Sequence, residues 1–182
     1  MQKRLYLLLS LFLLVSASFV IISTAHTPSN KILDIKYTQL TKEAQKQIDC
    51  LAENIYFESA YEPTDGRVAV ALVTLNRVQD PRYPDTICDV VKQRTRIVSI
   101  GDRRIVCQFS WYCEPNKSVG NIQAYTEAKQ IALHVYANYE QLKDLTNGAL
   151  FYHANYVRPN WRGLEQTVVI GRHIFYKERK PS

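Results

Sequence analysis

The segment Leu51–Arg77 constrains the fold of this chain more than any other segment, because it contains both a candidate catalytic carboxylate and a helix expected to be buried in the core. Leu51, Ile55 and Glu58 are spaced at i, i+4 and i+7, so that one carboxylate shares a helical face with two apolar side chains. Burial of that face would desolvate Glu58, raise its pKa and make it a candidate general acid. The alternative is that Glu58 is an exposed charge at a fraying helix end.

A second carboxylate, Glu62, follows one helical turn later and directly precedes Pro63. Proline disfavours a helical conformation at the residue before it, which predicts a break at this point. The stretch Val68–Leu75 is apolar on almost every side, as expected of a helix at the centre of a domain. The sequence therefore predicts two helices that meet at a break, with Glu58 at the end of the first.

The N-terminal residues 1–25 are typical of an export signal. Lys3 and Arg4 precede an uncharged apolar run over residues 5–22, and a small-residue cleavage site follows at Ala25. The run is nearly long enough to span a bilayer, so the alternative is an uncleaved anchor that associates the domain with the inner membrane through residues 5–22. Either way we expect an exported protein located in the periplasm.

Residues 26–40 are polar and irregular and are interpreted as a tether, which leaves residues 41–182 as a single domain. The net charge of +6 is scattered along the chain without a basic run. This pattern argues against a nucleic-acid partner and suits an anionic wall polymer or membrane surface.

Four cysteines, Cys50, Cys88, Cys107 and Cys113, would meet an oxidising compartment and can form two disulfides. The sequence does not determine the pairing. We favour Cys107–Cys113, which closes a short loop, together with Cys50–Cys88. A zinc site is the competing interpretation, and no CxxC pair supports it.

Hydrophobic periodicity and capping residues predict an α+β domain that is mainly helical. The predicted elements are a helix from the Thr41 cap to about Ser59, a second helix capped by Thr64 or Asp65 and ending near Arg77, a short helix Thr86–Lys92 capped by Asp85, a hairpin over residues 94–108, a helix Asn121–Tyr139 and a strand Val168–Tyr176.

Three aromatic residues are crowded between two cysteines in the segment Cys107–Cys113. Aromatic faces cover sugar rings, and the neighbouring amide and hydroxyl groups orient them, so this loop is a candidate carbohydrate contact. The alternative is a hydrophobic loop packed onto the core. His153 and His173 lack the HExxH spacing of a helical metal site, and we interpret them as substrate contacts or buried hydrogen-bonding groups.

Five blocks in order give the chain a specific resemblance: LAENIYFESAYEPTDGRVAVALVTLNRV, DPRYPDTICDVVKQ, CQFSWYC, GALFYHANYVRPNW and IGRHIFY. On these residues the chain resembles the SleB/CwlJ-type cell-wall hydrolase family, also called the spore cortex-lytic enzyme family, in its proteobacterial and phage branch. The resemblance implies a lysozyme-like single domain with a small β element that cleaves the glycan of peptidoglycan. The family motif E-A-R-G-E places its catalytic glutamate at Glu58, and here Ala60-Tyr61 replaces the Arg-Gly pair.

Peptidoglycan is therefore the expected partner, a monomer the expected state, and no cofactor or metal is expected. Glu58 is the expected acid, and Glu62 is expected to tune or orient it. The residues expected to contact the glycan are Asn76, Gln108, Phe109, Ser110, Trp111, Tyr152, His153, Trp161 and His173.

A single well-placed acid predicts a lytic transglycosylase that forms a 1,6-anhydro ring on N-acetylmuramic acid. Two-carboxylate glycosidases need a second group on the opposite side of the bond, whereas Glu62 lies on the same side as Glu58. The alternatives are a hydrolytic muramidase acting on the same bond, a catalytically idle wall-binding module and a zinc amidase.

Overall fold

Helix α1, Lys42–Ser59, is the central element of the fold. The Thr41 side chain accepts a hydrogen bond from the Ala44 N–H, which confirms the predicted N-cap. Ile48, Leu51 and Ile55 are fully buried along one face of the helix, as their spacing predicts. Helices on three sides pack against α1, and its C-terminal end carries Glu58 to the edge of this core.

The computed structural model describes residues 36–99 and 101–179. The predicted signal or anchor and most of the predicted tether lie outside these residues. Within them, no helix is long and apolar enough to cross a membrane.

The other elements are α2 (Thr64–Gln79), α3 (Ile87–Val91), β1 (Arg94–Ser99), β2 (Asp102–Cys107), α4 (Ile122–Asn138), β3 (Phe151–Ala154), β4 (Leu164–Ile170), β5 (His173–Glu178) and two short 3₁₀ helices, Tyr37–Gln39 and Ser110–Cys113.

Two predicted helix starts are wrong by one residue. Pro63 occupies the N-cap of α2, so Thr64 is already helical, and the helix continues to Gln79 rather than ending near Arg77. Thr86, not Asp85, caps α3, because its hydroxyl accepts from the backbone N–H of Asp89.

Both favoured disulfides are confirmed. Cys50–Cys88 joins α1 to α3, and Cys107–Cys113 links the end of the β1–β2 hairpin to the 3₁₀ helix that follows. The hairpin itself is antiparallel, with Arg94 paired to Cys107, and confirms the strands predicted over residues 94–108.

The C-terminal half forms an antiparallel three-stranded sheet in the order β3-β5-β4. The single strand predicted over Val168–Tyr176 is wrong, because the chain turns at Gly171 between β4 and β5. Gly171 has φ +57°, which glycine adopts without the strain that a side chain would bring. The sheet packs on α2 through Ala69, Val73 and Phe175, all fully buried.

The end of the predicted tether is ordered against the domain. Tyr37 lies in a 3₁₀ helix, and its hydroxyl donates to Asp49 on α1 at 2.7 Å.

Candidate active site

Glu58 is the penultimate residue of α1 and is half-buried. The hydroxyl of Tyr152, on β3, donates to its Oε2 at 3.1 Å. Burial raises the pKa of Glu58 above its ordinary value, and this outweighs the hydrogen bond from Tyr152, which lowers it. A carboxyl group in this setting keeps its proton to a higher pH than an exposed one, as a general acid requires.

A buried cation, Arg77, lies close enough that its charge also lowers the pKa of Glu58. Its side chain is 3% exposed, and its Nε donates to the Leu150 carbonyl at 2.8 Å. With its amide oxygen turned toward α2, Gln108 accepts from both terminal nitrogens of Arg77 at 3.0 and 3.1 Å. The guanidinium also lies over the Phe109 ring, 5.2 Å from its centroid.

Arg77 thus places a fixed positive charge near Glu58, and this charge favours the ionised form of the carboxyl group. Sequence reasoning missed this residue. The signal was present, because Arg77 follows Val70 and Val73 at i+7 and i+4, and both valines are fully buried.

Glu62 does not contact Glu58 through a hydrogen bond; both of its carboxylate oxygens bind Arg172 in the β4–β5 turn. Oε2 accepts from the backbone N–H at 2.8 Å, and Oε1 accepts from Nε at 2.7 Å. Burial raises the pKa of Glu62, but the two hydrogen bonds outweigh it and leave the pKa below its ordinary value. A side chain on Gly171 would collide with Oε2 of Glu62. Glycine is therefore required here both for lack of space and for its positive φ.

Glu62 was expected to tune or orient Glu58, and the structure connects the two residues indirectly. Glu62 holds the turn that begins β5, and the first residue of β5, His173, packs edge-on against Tyr152 with ring centroids 5.2 Å apart. Burial lowers the pKa of His173, which favours the neutral imidazole beside the Tyr152 ring. Glu62 is thus linked to Tyr152, the hydrogen-bond donor to Glu58, through Arg172 and His173.

The Glu62→Gln variant is expected to lose about 2 kcal/mol of unfolding free energy at pH 7, since a charge-assisted hydrogen bond contributes about 1.5–3 kcal/mol. The pKa of Glu62 is lower in the folded protein than in the unfolded chain. This stability is therefore fully present above the pKa that Glu62 has in the unfolded chain, and it is lost as the pH falls through the pKa that Glu62 has in the folded protein. The difference from wild type in urea denaturation should therefore shrink in acid.

Glu165→Gln is the matched control, because Glu165 pairs with Lys177 on the surface of the same hairpin, at 3.2 Å. It should cost less than about 1 kcal/mol. Equal losses for the two variants would show that the Glu62 contact is an ordinary surface ion pair.

Phe109 and Trp111 lie in the core, which contradicts their expected exposure to the glycan. They are 3% and 7% exposed. Trp111 stacks on Phe57 with centroids 4.6 Å apart, and its indole N–H donates to the buried Asn54 at 3.0 Å. The aromatic loop is thus packed onto α1, while Gln108 and Ser110 remain exposed beside it.

Asn76 is also not free to bind substrate as expected. Its amide nitrogen donates to Asp144, Thr146 and the Ala149 carbonyl, and its oxygen accepts from the Tyr139 hydroxyl at 2.8 Å. These bonds use its hydrogen-bonding groups to tie α2 to the loop before β3.

Tyr152, His153 and Trp161 were all expected to contact the glycan, but Tyr152 and His153 point to opposite faces of the sheet. Tyr152 pairs with Phe175 on the face toward α2, whereas His153 pairs with Ile174 on the other. His173 lies on the Tyr152 face, so the two histidines cannot share a metal ion. Trp161 packs edge-on against His153, on the side away from Glu58.

The rim near Glu58 carries an ion pair between Glu114 and Lys117, at 2.9 Å. The negative charge of Glu114 raises the pKa of Glu58, and the positive charge of Lys117 lowers it. Glu114 is therefore a carboxylate near Glu58 in addition to Glu62, and the adjacent Lys117 compensates the charge of Glu114.

The Tyr152→Phe variant is expected to slow cleavage about tenfold, because a hydrogen bond to a charged group is worth about 1.5–3 kcal/mol. In wild type, the hydrogen bond from Tyr152 lowers the pKa of Glu58. Without this bond the pKa of Glu58 rises, so the alkaline limb of the pH–rate profile should move to higher pH. Tyr125→Phe, a half-buried tyrosine on α4, is the control. An unshifted limb would show that the Tyr152 hydroxyl does not act on Glu58.

The chain is similar to known proteins in its sequence and in its fold. The model of the family described as Cell Wall Hydrolase matches residues 61–176, a segment that begins three residues after Glu58. A spore cortex-lytic enzyme of Bacillus cereus is 31% identical over 136 residues, which is 74% of this chain. A spore cortex-lytic enzyme of Bacillus subtilis is 27% identical over 134 residues, or 72% of this chain.

The fold has a counterpart in the crystal structure of the catalytic domain of the Bacillus cereus SleB protein. The TM-score is 0.51 at 28% identity, over 73% of this chain and 91% of that domain. This likeness confirms the predicted α+β, lysozyme-like fold class. The chain spans 45% and 38% of the length of the two curated relatives.

Proposed function

Because the chain belongs to the Cell Wall Hydrolase family, in its SleB-type branch, we propose that it cleaves the glycan strands of peptidoglycan. The bond is the one between N-acetylmuramic acid and N-acetylglucosamine, and Glu58 is the general acid. One observation carries the proposal: a half-buried carboxyl group with a raised pKa, held by Tyr152 and faced by a buried arginine.

In the first step, protonated Glu58 donates its proton to the glycosidic oxygen, and the bond to the muramic anomeric carbon breaks. Positive charge develops at that carbon, while Glu58 becomes an anion. Tyr152 and Arg77 stabilise the anion by a hydrogen bond and by charge, without reorganisation during the reaction.

In the second step, ionised Glu58 accepts the proton of the 6-hydroxyl of the same sugar. The 6-oxygen attacks the anomeric carbon and closes a 1,6-anhydro ring, so the enzyme is a lytic transglycosylase and Glu58 is restored to its acid form. The route needs one carboxyl group, and the engagement of both Glu62 oxygens with Arg172 supports it.

Glu114 favours one alternative, a hydrolytic muramidase in which water attacks the anomeric carbon. Its carboxylate influences Glu58 electrostatically, as a second group in a two-carboxylate mechanism would. The ion pair with Lys117 argues against this role, because the ammonium group occupies Oε2 of Glu114.

Mass spectrometry of the muropeptides released from purified sacculi separates the two reactions. A transglycosylase leaves an anhydro end that is lighter by one water than the hydrolase product. Products that contain only the hydrated end, together with a large loss of rate in Glu114→Gln, would establish the hydrolase. Absence of any glycan cleavage would leave a wall-binding module.

The cellular location belongs to the same proposal. Two disulfides among the described residues suit an oxidising compartment, and together with the leader-like residues 1–25 they support export to the periplasm, either as a soluble monomer or anchored to the inner membrane.

A further inference from the structure

A cavity of about 360 Å³ lies on the face of the three-stranded sheet opposite Tyr152. It is lined by His153, Arg158, Trp161 and Tyr176 among others. Small-ligand sites commonly occupy about 300–1,000 Å³, so this one has room for a single sugar-sized group. Neither Glu58 nor Tyr152 lines it, which separates it from the candidate active site.

The aromatic lining forms a fixed corner. His153 and Tyr176 are stacked, with centroids 5.2 Å apart and planes 20° from parallel. Nδ1 of His153 lies 2.8 Å from the Ala154 carbonyl, so this nitrogen carries the proton, and Nε2 accepts from the Tyr176 hydroxyl at 3.0 Å. Trp161 stands nearly perpendicular to Tyr176, at 86°, and is 43% exposed.

The polar lining is also held in place before any ligand arrives. Nη1 of Arg158 donates to the carbonyls of Asn155 and Val157 at 2.7 and 3.1 Å. The Asn155 N–H in turn donates to the Arg172 carbonyl at 2.7 Å. Ordering costs at binding are therefore small, which favours affinity in a shallow site.

We propose that this cavity binds one N-acetylated sugar ring of a glycan strand, at a site distinct from the one where Glu58 acts. The partly exposed Trp161 ring covers the apolar face of a pyranose ring, and the guanidinium of Arg158 donates to its hydroxyl or acetamide oxygens. The inference rests on the proposed function, and it adds a contact that holds the enzyme on the wall between cleavage events.

A stem peptide is the other part of peptidoglycan that offers a ligand of suitable size for this cavity. A peptide carboxylate favours a site with several cations, whereas most of the lining here consists of ring and aliphatic side chains, with the rings of His153, Trp161 and Tyr176 suited to the apolar face of a sugar. The observations therefore favour the sugar.

The emission of Trp161 provides a local test, because the other tryptophan, Trp111, is 7% exposed and packed in the core. The Glu58→Gln protein is titrated with chitotetraose, which it does not cleave. We expect a saturable change in emission. Adding Arg158→Ala should weaken binding roughly five- to tenfold, and adding Trp161→Phe should remove most of the emission change.

Tyr156→Ala in the same background is the matched control. Tyr156 is 79% exposed in the same loop and does not line the cavity, so binding should stay within about twofold of the parent. The proposal is overturned if chitotetraose leaves Trp161 emission unchanged, if Arg158→Ala has no effect, or if an isolated stem peptide binds and chitotetraose does not.

The titration and the cleavage assay can fail separately. Sugar binding at Trp161 combined with no glycan cleavage by wild type would remove the proposed function and keep the site. Cleavage that depends on Glu58, without any sugar-induced change in the emission of Trp161, would keep the proposed function and remove the sugar-binding site.

Discussion

The Glu58→Gln variant is expected to release muropeptides from sacculi about 10²–10⁴-fold more slowly than wild type, the range that general acid–base catalysis usually supplies. Glutamine has nearly the same shape and can still accept the Tyr152 hydrogen bond, but it has no proton of suitable acidity to donate. The measurement is the initial rate of release at equal enzyme concentration.

Glu53→Gln is the matched control for this substitution. Glu53 lies on the same helix, and burial raises its pKa as well, but its electrostatic partners are Lys92 and Asp49 rather than the residues around Glu58. Its activity should stay within about twofold of wild type. A Glu58→Gln rate within a few-fold of wild type would remove Glu58 from the mechanism.

The same substitution should stabilise the fold at neutral pH. The pKa of Glu58 is higher in the folded protein than in the unfolded chain. The stability that Glu58 contributes is therefore fully present below its pKa in the unfolded chain, and it is lost as the pH rises through its pKa in the folded protein. Glutamine does not ionise and avoids that loss. The melting temperature of Glu58→Gln should therefore exceed that of wild type at pH 8 and approach it at pH 4, which also excludes misfolding as the cause of inactivity.

The local parts of this fold could be predicted from sequence because their causes lie within one helical turn. Thr41 caps α1 through the N–H of Ala44, three residues away, and the face of Ile48, Leu51 and Ile55 follows from the helical period. The same spacing placed Glu58 at the edge of the buried core.

The contacts of Asn76, Glu62 and Trp111 could not be predicted in this way, because their partners are distant in the sequence. Asn76 bonds to residues about 70 positions later, and Glu62 to Arg172, 110 positions later. The composition of the Cys107–Cys113 segment indicates aromatic packing, but it does not say which way Trp111 faces.

The separation of Tyr152 from His153 follows from a local rule, the alternation of side chains along a strand. The rule needs the strand first, and β3 has only four residues, Phe151–Ala154. β3 is placed by its pairing with β5, about 20 positions later in the chain, where Tyr152 lies opposite Phe175 and His153 opposite Ile174. The local sequence does not contain this pairing, so the separation of the two side chains could not be predicted from it.

Replacing Cys50 and Cys88 together with alanine is expected to lower the unfolding free energy by about 4 kcal/mol, since the bridge closes a loop of 38 residues in the unfolded chain. That is a large share of the roughly 5–15 kcal/mol that holds a typical domain folded. The bridge also fixes α3 beside α1, where the Cys88 N–H donates to the buried Gln47 at 2.9 Å. Urea denaturation of the exported protein measures the loss.

The Cys107–Cys113 pair provides the internal comparison, because its loop spans only six residues and its removal should cost about 2 kcal/mol. This bridge lies beside Gln108, which binds Arg77, and near Trp111, which packs on the residue before Glu58. Its loss should therefore reduce the cleavage rate more than the loss of Cys50–Cys88 does, although it costs less stability. Equal stability losses for the two double variants would contradict the loop-length argument. Four free thiols in exported, active protein, detected as mass added by an alkylating reagent, would show that neither bridge forms.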